Sequence, residues 1–179
     1  MTLKESTHEA HVKAEAHPFT KALLAKKITV PQYCDYLYNQ LPSYYKLEFL
    51  CKQRKLLEDL PGLPRSEAIL QDLRALRKQE PVVPEVFPST IGYLDYLDDL
   101  NDQQLLAHVY VRHMGDMYGG QMIKQLVPGQ GLMYEFENRS ELIKVLRTKL
   151  TDDMSTEANI CFDFIIELFD ELANEHNIQ

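Results

Sequence analysis

The sequence lacks most of the features that would assign it to a specialised class. Its three cysteines, Cys34, Cys51 and Cys161, are odd in number and far apart, with neither metal-site spacing nor a disulfide framework. That usage fits a reducing, cytoplasmic compartment. No run of about 20 apolar residues occurs, so no membrane span is expected. The N-terminal stretch is rich in Lys, Glu and His rather than in the apolar residues of a leader, and a soluble protein is the expectation. Positive charge is in deficit: 19 Lys and Arg against 27 Asp and Glu give a net charge of −8, which argues against nucleic acid as a partner. Strand-like alternation and internal repeats are missing. Glycine is scarce, with only seven residues, and that scarcity makes its distribution informative.

What is present is an ordinary globular composition, 45% hydrophobic and 26% charged over 179 residues, enough for one domain with a sizeable core. The pattern predicts an all-α helical bundle, a single domain over residues 1–179. Helices are expected over about Leu3–Ala16, Pro18–Ala25, Thr29–Leu57, Arg65–Lys78, Ser89–Leu97, Gln103–Lys124, Leu132–Leu150 and Ser155–Glu175. His17-Pro18 ends the first, because a residue before proline disfavours the helical region. Thr29-Val30-Pro31-Gln32 has the form of a capping box, and Pro42 should kink the helix that it opens. Three prolines make Glu80–Ser89 an extended loop.

Three of the seven glycines, Gly115, Gly119 and Gly120, fall within six residues of an otherwise helical stretch. Each interior glycine costs roughly 1 kcal/mol relative to alanine. Two causes fit: close packing of another helix, or a flat ligand lying against the backbone with Asp116 beside it. His11 poses a similar choice. It shares a face with Leu3, Thr7, Ala10 and Ala14, where it is either a core histidine or a ligand. Glu15, four residues on, is placed to hold Nδ1 and leave Nε2 free for a metal. One histidine is a poor site for a free ion but suffices when a macrocycle supplies the other donors. Glu5 and His8 lack the second Glu-x-x-His pair of di-iron bundles, and His8-Glu9-Ala10-His11 is not a zinc-protease spacing. Lys4, Lys144, Arg147 and Lys149 are either solvated charge or a means of capturing carboxylates on an acidic protein.

Taken together these residues resemble the haem oxygenase family over most of the chain. Leu3-Lys4-Glu5-Ser6-Thr7 followed by His11-Val12-Lys13-Ala14-Glu15 is similar to the family's proximal helix. Ala107-His108-Val109-Tyr110-Val111-Arg112-His113-Met114-Gly115-Asp116-Met117-Tyr118-Gly119-Gly120-Gln121 is similar to its distal helix, Ala-His-x-Tyr-x-Arg-Tyr-x-Gly-Asp-x-Ser-Gly-Gly-Gln. The resemblance implies haem b, both cofactor and substrate, held between the first helix and a glycine-kinked distal helix. It implies His11 as iron ligand, Glu15 as its support, and the Gly115, Gly119 and Gly120 backbone as the distal wall. Asp116 would organise the waters that deliver the protons consumed in oxygen activation. Tyr44, Tyr110 and Arg112 match the distal hydrogen-bond network, Phe162 and Phe169 the pocket lining, and Lys4, Lys144 and Arg147 the propionate partners.

The implied reaction opens haem to biliverdin, by default the IX-alpha isomer, with O2 and external electrons, releasing carbon monoxide and ferrous iron. A ferredoxin or a reductase would supply the electrons, and a bilin reductase would act downstream. Tyr118 stands where the family commonly has Ser, and is expected to point away from the haem. His8 stands in place of a common Lys, and Ile165 in place of a common Asn. Two other functions remain open: a haem carrier of the same fold, and a thiamin-degrading helical bundle, for which Cys161 is the nearest nucleophile.

Overall fold

The capping box at Thr29 works as the sequence predicts. In the computed structural model, which describes residues 1–179, the Thr29 amide donates to Gln32 Oε1 at 2.9 Å and the Gln32 amide to the Thr29 hydroxyl at 3.5 Å. In chain order the helices are α1 Leu3–Ser6, α2 His8–Glu15, α3 Pro18–Leu24, α4 Val30–Gln53, α5 Ser66–Gln79 and α6 Pro88–Leu97. They continue as α7 Asp102–Val109, α8 Gly115–Tyr118, α9 Gly120–Ile123, α10 Arg139–Arg147 and α11 Ser155–Glu175. A π-helical turn, Tyr110–Met114, joins α7 to α8, and no strand is present. The long α4 runs through Pro42 without ending.

Three apolar clusters hold the bundle. Phe19, Leu37, Ile69 and Leu168 join α3, α4, α5 and α11. Leu47, Leu97, Leu105, Met117 and Leu146 join α4, α6, α7, α8 and α10. Leu3, Ala107, Val111 and Phe162 bring α1, α7, the π turn and α11 together. Burial of such side chains stabilises by about 1.5–3 kcal/mol each. The proline loop is extended, as expected, and fully buried Asn39 clasps it. The Asn39 amide donates to the Glu85 carbonyl at 2.8 Å, and its oxygen accepts from the Phe87 amide at 2.8 Å.

Apart from the distal stretch Gln103–Lys124, which divides into α7, the π-helical turn, α8 and α9, two expected helices come out differently. The first is broken at Thr7, whose hydroxyl donates back to the Leu3 carbonyl at 2.9 Å and loosens the turn. The expected Leu132–Leu150 helix is a single 3-10 turn, Leu132–Tyr134, followed by the shorter α10. Asp72 causes the break: its carboxylate accepts the Leu132 and Met133 amides, both at 3.0 Å, and fixes the turn in the core. Gly131 and Asn138, at φ of 63° and 53°, bracket it in the left-handed conformation.

Candidate active site

None of the residues of α2 is buried. The face that the sequence marks as apolar meets a cavity of about 860 Å³ instead of a core. That volume lies within the roughly 300–1,000 Å³ of small-molecule sites. His8, His11, Ala14 and Glu15 of α2 form one wall; Tyr110, Val111, Arg112, Met114, Gly115, Asp116 and Gly119 line it from the distal segment. Phe162, Ile165 and Phe169 enter from α11, and Tyr36, Gln40 and Tyr44 from α4. Lys4, Arg147 and Asp152 stand among the remaining lining groups.

His11 takes the position that the i, i+4 spacing predicts. Nδ1 lies 3.6 Å from Glu15 Oε2, an electrostatic contact slightly beyond hydrogen-bond length. The ring stands edge-on to Phe162, with centroids 6.0 Å apart. Nε2 has no protein partner.

The distal wall departs from a regular helix at the residues that matter. The π turn presents Val111, Arg112 and Met114 to the cavity together with Gly115, and such turns are frequent at functional positions. A Cβ built on Gly115 would meet nothing within 4 Å. Its missing side chain therefore leaves open space over the cavity rather than admitting a neighbouring helix. Gly119 closes the wall, its amide donating to the Gly115 carbonyl at 2.8 Å.

Asp116 is held by the Tyr44 hydroxyl, which donates to Oδ2 at 2.6 Å. Burial lifts the Asp116 carboxyl to about 7, outweighing the Tyr44 hydrogen bond and the opposing charges of His113, Arg112 and Arg65. Arg112 is buried and fixed from two sides: Nη1 donates to Gln40 Oε1 at 2.9 Å and Nε to the Tyr93 hydroxyl at 3.1 Å. Behind it Tyr93 meets His108 Nδ1 at 2.9 Å, and His108 Nε2 meets Glu157 Oε1 at 2.8 Å. Tyr110 bridges the two walls, its hydroxyl 3.4 Å from that of Thr7. Gln40 was findable, since it lies one turn before Tyr44 on the same face of α4. The Tyr93, His108 and Glu157 bracing joins α6, α7 and α11 and has no local sequence signal.

Several expectations are corrected. Gly120 does not line the cavity; it admits Tyr134, whose Cδ1 would stand 2.6 Å from an added Cβ. Lys144 also lies off the cavity: its side chain is 77% exposed and faces Glu141 at 3.9 Å, because α10 turns it outward. Tyr118 does not point away. It lines the cavity, and its hydroxyl accepts a hydrogen bond from Arg147. Cys161 is buried outside the lining, as are Cys34 and Cys51, so no thiol is available for the thiamin-degrading alternative.

The two kinds of glycine make opposite stability predictions. Gly120→Ala should destabilise by about 1–3 kcal/mol through overpacking against Tyr134. Gly115→Ala should be neutral or stabilise by up to about 1 kcal/mol while narrowing the cavity. Urea unfolding of the two variants checks both signs.

Residues 1–171 match the family model described as "Heme oxygenase". The Heme oxygenase of Guillardia theta is 28% identical, over 95% of this chain and 84% of its own length. The structure of heme oxygenase-2 from Synechocystis, in complex with heme and NO, has a TM-score of 0.81 at 26% identity, covering 96% of this chain and 84% of its own. Heme oxygenase-1 from the same cyanobacterium, in complex with heme, shares the fold with a TM-score of 0.85 at 22% identity, covering 97% and 91% of the two chains. No helix here is long and apolar enough to cross a membrane. With an all-helical fold, a histidine-bearing wall facing a glycine-lined one and a family match over nearly its whole length, the chain belongs to the haem oxygenase family.

Proposed function

We propose that the chain binds haem in this cavity and, with O2 and externally supplied electrons, opens it to biliverdin, carbon monoxide and ferrous iron. One observation carries the reading: the cavity has an imidazole with an unengaged Nε2 on one wall and, on another, a helix stripped of its side chain at Gly115. The volume and the cations Lys4 and Arg147, neither of which faces a carboxylate of the chain, fit a flat, dicarboxylated macrocycle. Haem, when bound, supplies the iron at which O2 is activated and the carbon skeleton that is oxidised.

The chain's own residues do the rest. His11 Nε2 would hold the iron, and the Glu15 carboxylate favours the tautomer with its proton on Nδ1. Gly115 and Gly119 leave room between helix and macrocycle. With a carboxyl near 7, Asp116 gains and loses a proton around neutral pH, which suits a relay. Tyr44 and Arg112 keep that carboxyl and the surrounding donors in place, and Tyr110 ties the distal wall to Thr7, between α1 and α2. Phe162 and Phe169 give the ring an apolar seat, while Lys4 and Arg147 take the propionates. The product is the IX-alpha isomer. A ferredoxin or a reductase supplies the electrons in the cytoplasm, and a bilin reductase consumes the product.

Incubation with haem, O2 and ascorbate tests the reading. The Soret band should give way to biliverdin absorption. A Soret band that persists under reductant and air would make the protein a haem carrier instead.

A further inference from the structure

Tyr118 is a large aromatic residue left 52% exposed beside the cavity, on α8. Its partner, Arg147, comes from the last turn of α10. Arg147 Nη2 donates to the Tyr118 hydroxyl, and the guanidinium carbon lies 5.8 Å from the ring centroid. A phenol that accepts one hydrogen bond still has its own O–H to donate. In this structure that O–H has no protein acceptor.

Arg147 is likewise unspent. At the cavity it faces no carboxylate of the chain, and Tyr118 takes only one of its N–H groups. The edge of the cavity therefore presents one cationic and one neutral donor side by side: the guanidinium keeps N–H groups beyond the one given to Tyr118, and the phenol keeps its O–H. Their separation is fixed by the hydrogen bond between them. Two adjacent donors, one of them a guanidinium, match the two oxygens of a single carboxylate.

We propose that Tyr118 and Arg147 form a carboxylate clasp, with the phenol O–H donating to one oxygen of a haem propionate and the guanidinium to the other. This rests on the haem reading above. Tyr118 becomes a substrate-binding residue rather than a bulky replacement for Ser. Holding one propionate at a defined point of the cavity edge also fixes the in-plane rotation of the ring, and so the edge that meets the glycine wall.

The test is equilibrium titration of the full chain with ferric haem and with haem dimethyl ester, followed at the Soret band. Wild type, Tyr118→Phe, Arg147→Ala and the double variant are compared. Phenylalanine keeps the ring and removes only the hydroxyl, so the fold should be undisturbed at this half-exposed position. Tyr118→Phe should weaken haem binding about tenfold, the scale of one hydrogen bond to a charged group. Binding of the ester should be unchanged. In the Arg147→Ala background the Tyr118→Phe effect should fall below about twofold, because the pair acts as a unit. Equal effects on haem and ester, or no effect on haem, would overturn the clasp while leaving the haem reading intact. Failure of the wild-type chain to bind either would instead overturn the haem reading, and the clasp with it.

Discussion

Replacing His11 with alanine is expected to abolish haem turnover while leaving the apoprotein folded. The side chain is 54% exposed and makes no hydrogen bond, only the 3.6 Å electrostatic contact with Glu15, so its removal should alter stability by less than about 0.5 kcal/mol. Haem should still enter, because the apolar lining and the cations of the cavity remain. Its affinity should drop by more than the roughly 10–100-fold that loss of an outer support costs a metal site. Glu15→Gln, which keeps the ligand and removes the charge near Nδ1, should fall inside that range. Free imidazole is small enough to occupy the space vacated in His11→Ala, and its addition should restore ligation and part of the turnover. The other histidine on the cavity, His8, has Val12 rather than a carboxylate one turn on. Undiminished turnover by His11→Ala would therefore transfer the ligand role to His8 and undo the assignment.

Asp116→Asn is expected to separate function from stability. Asparagine keeps the shape of the side chain and an oxygen that accepts from Tyr44, but it cannot release a proton. Biliverdin formation should fall by about 10²–10⁴, the usual contribution of a positioned acid or base, with haem affinity retained. Stability should move the other way. A carboxyl raised to about 7 in the fold, against about 4 in the unfolded chain, is bound more tightly by its proton in the native state. Its contribution is then fully present below pH 4 and is lost as pH rises through 7. The variant should match wild type at low pH and exceed it above pH 7. Urea unfolding of the two apoproteins across that range measures the difference without any turnover. A parallel pH dependence in both proteins would show that Asp116 is ionised throughout, and a normal biliverdin yield would place the relay elsewhere.

The helices were legible where local chemistry sets them. The capping box at Thr29 and the apolar spacing of Ser155–Glu175 fix α4 and α11, and both start where the sequence puts them. The 3-10 turn at Leu132–Tyr134 was not legible, because Asp72, 60 positions away, holds its amides. The site divides along the same line. His11 and Glu15 lie one turn apart, so their contact follows from helix geometry alone. Asp116 and Gly115 stand out by composition, but the meeting of Asp116 with Tyr44 spans 72 positions and rests on the resemblance until the fold supplies it. Gly119 and Gly120 are adjacent and identical in type. Only packing shows that one faces the cavity and the other Tyr134. Lys144 and Arg147 sit on one short helix, and its rotation turns one to solvent and the other to the cavity. The direction of Tyr118 is set by Arg147, 29 positions on, whose hydrogen bond draws it to the cavity edge.

Conversion of haem by this cavity is tested most sharply by a single-turnover experiment. Haem is supplied in equimolar amount to the protein, with O2 and a reductant, and the carbon monoxide, iron and bilin are quantified, the last by chromatography. Carbon monoxide and IX-alpha biliverdin should each equal the haem consumed. Haem lost without carbon monoxide, or haem bound and left intact, would contradict the reading.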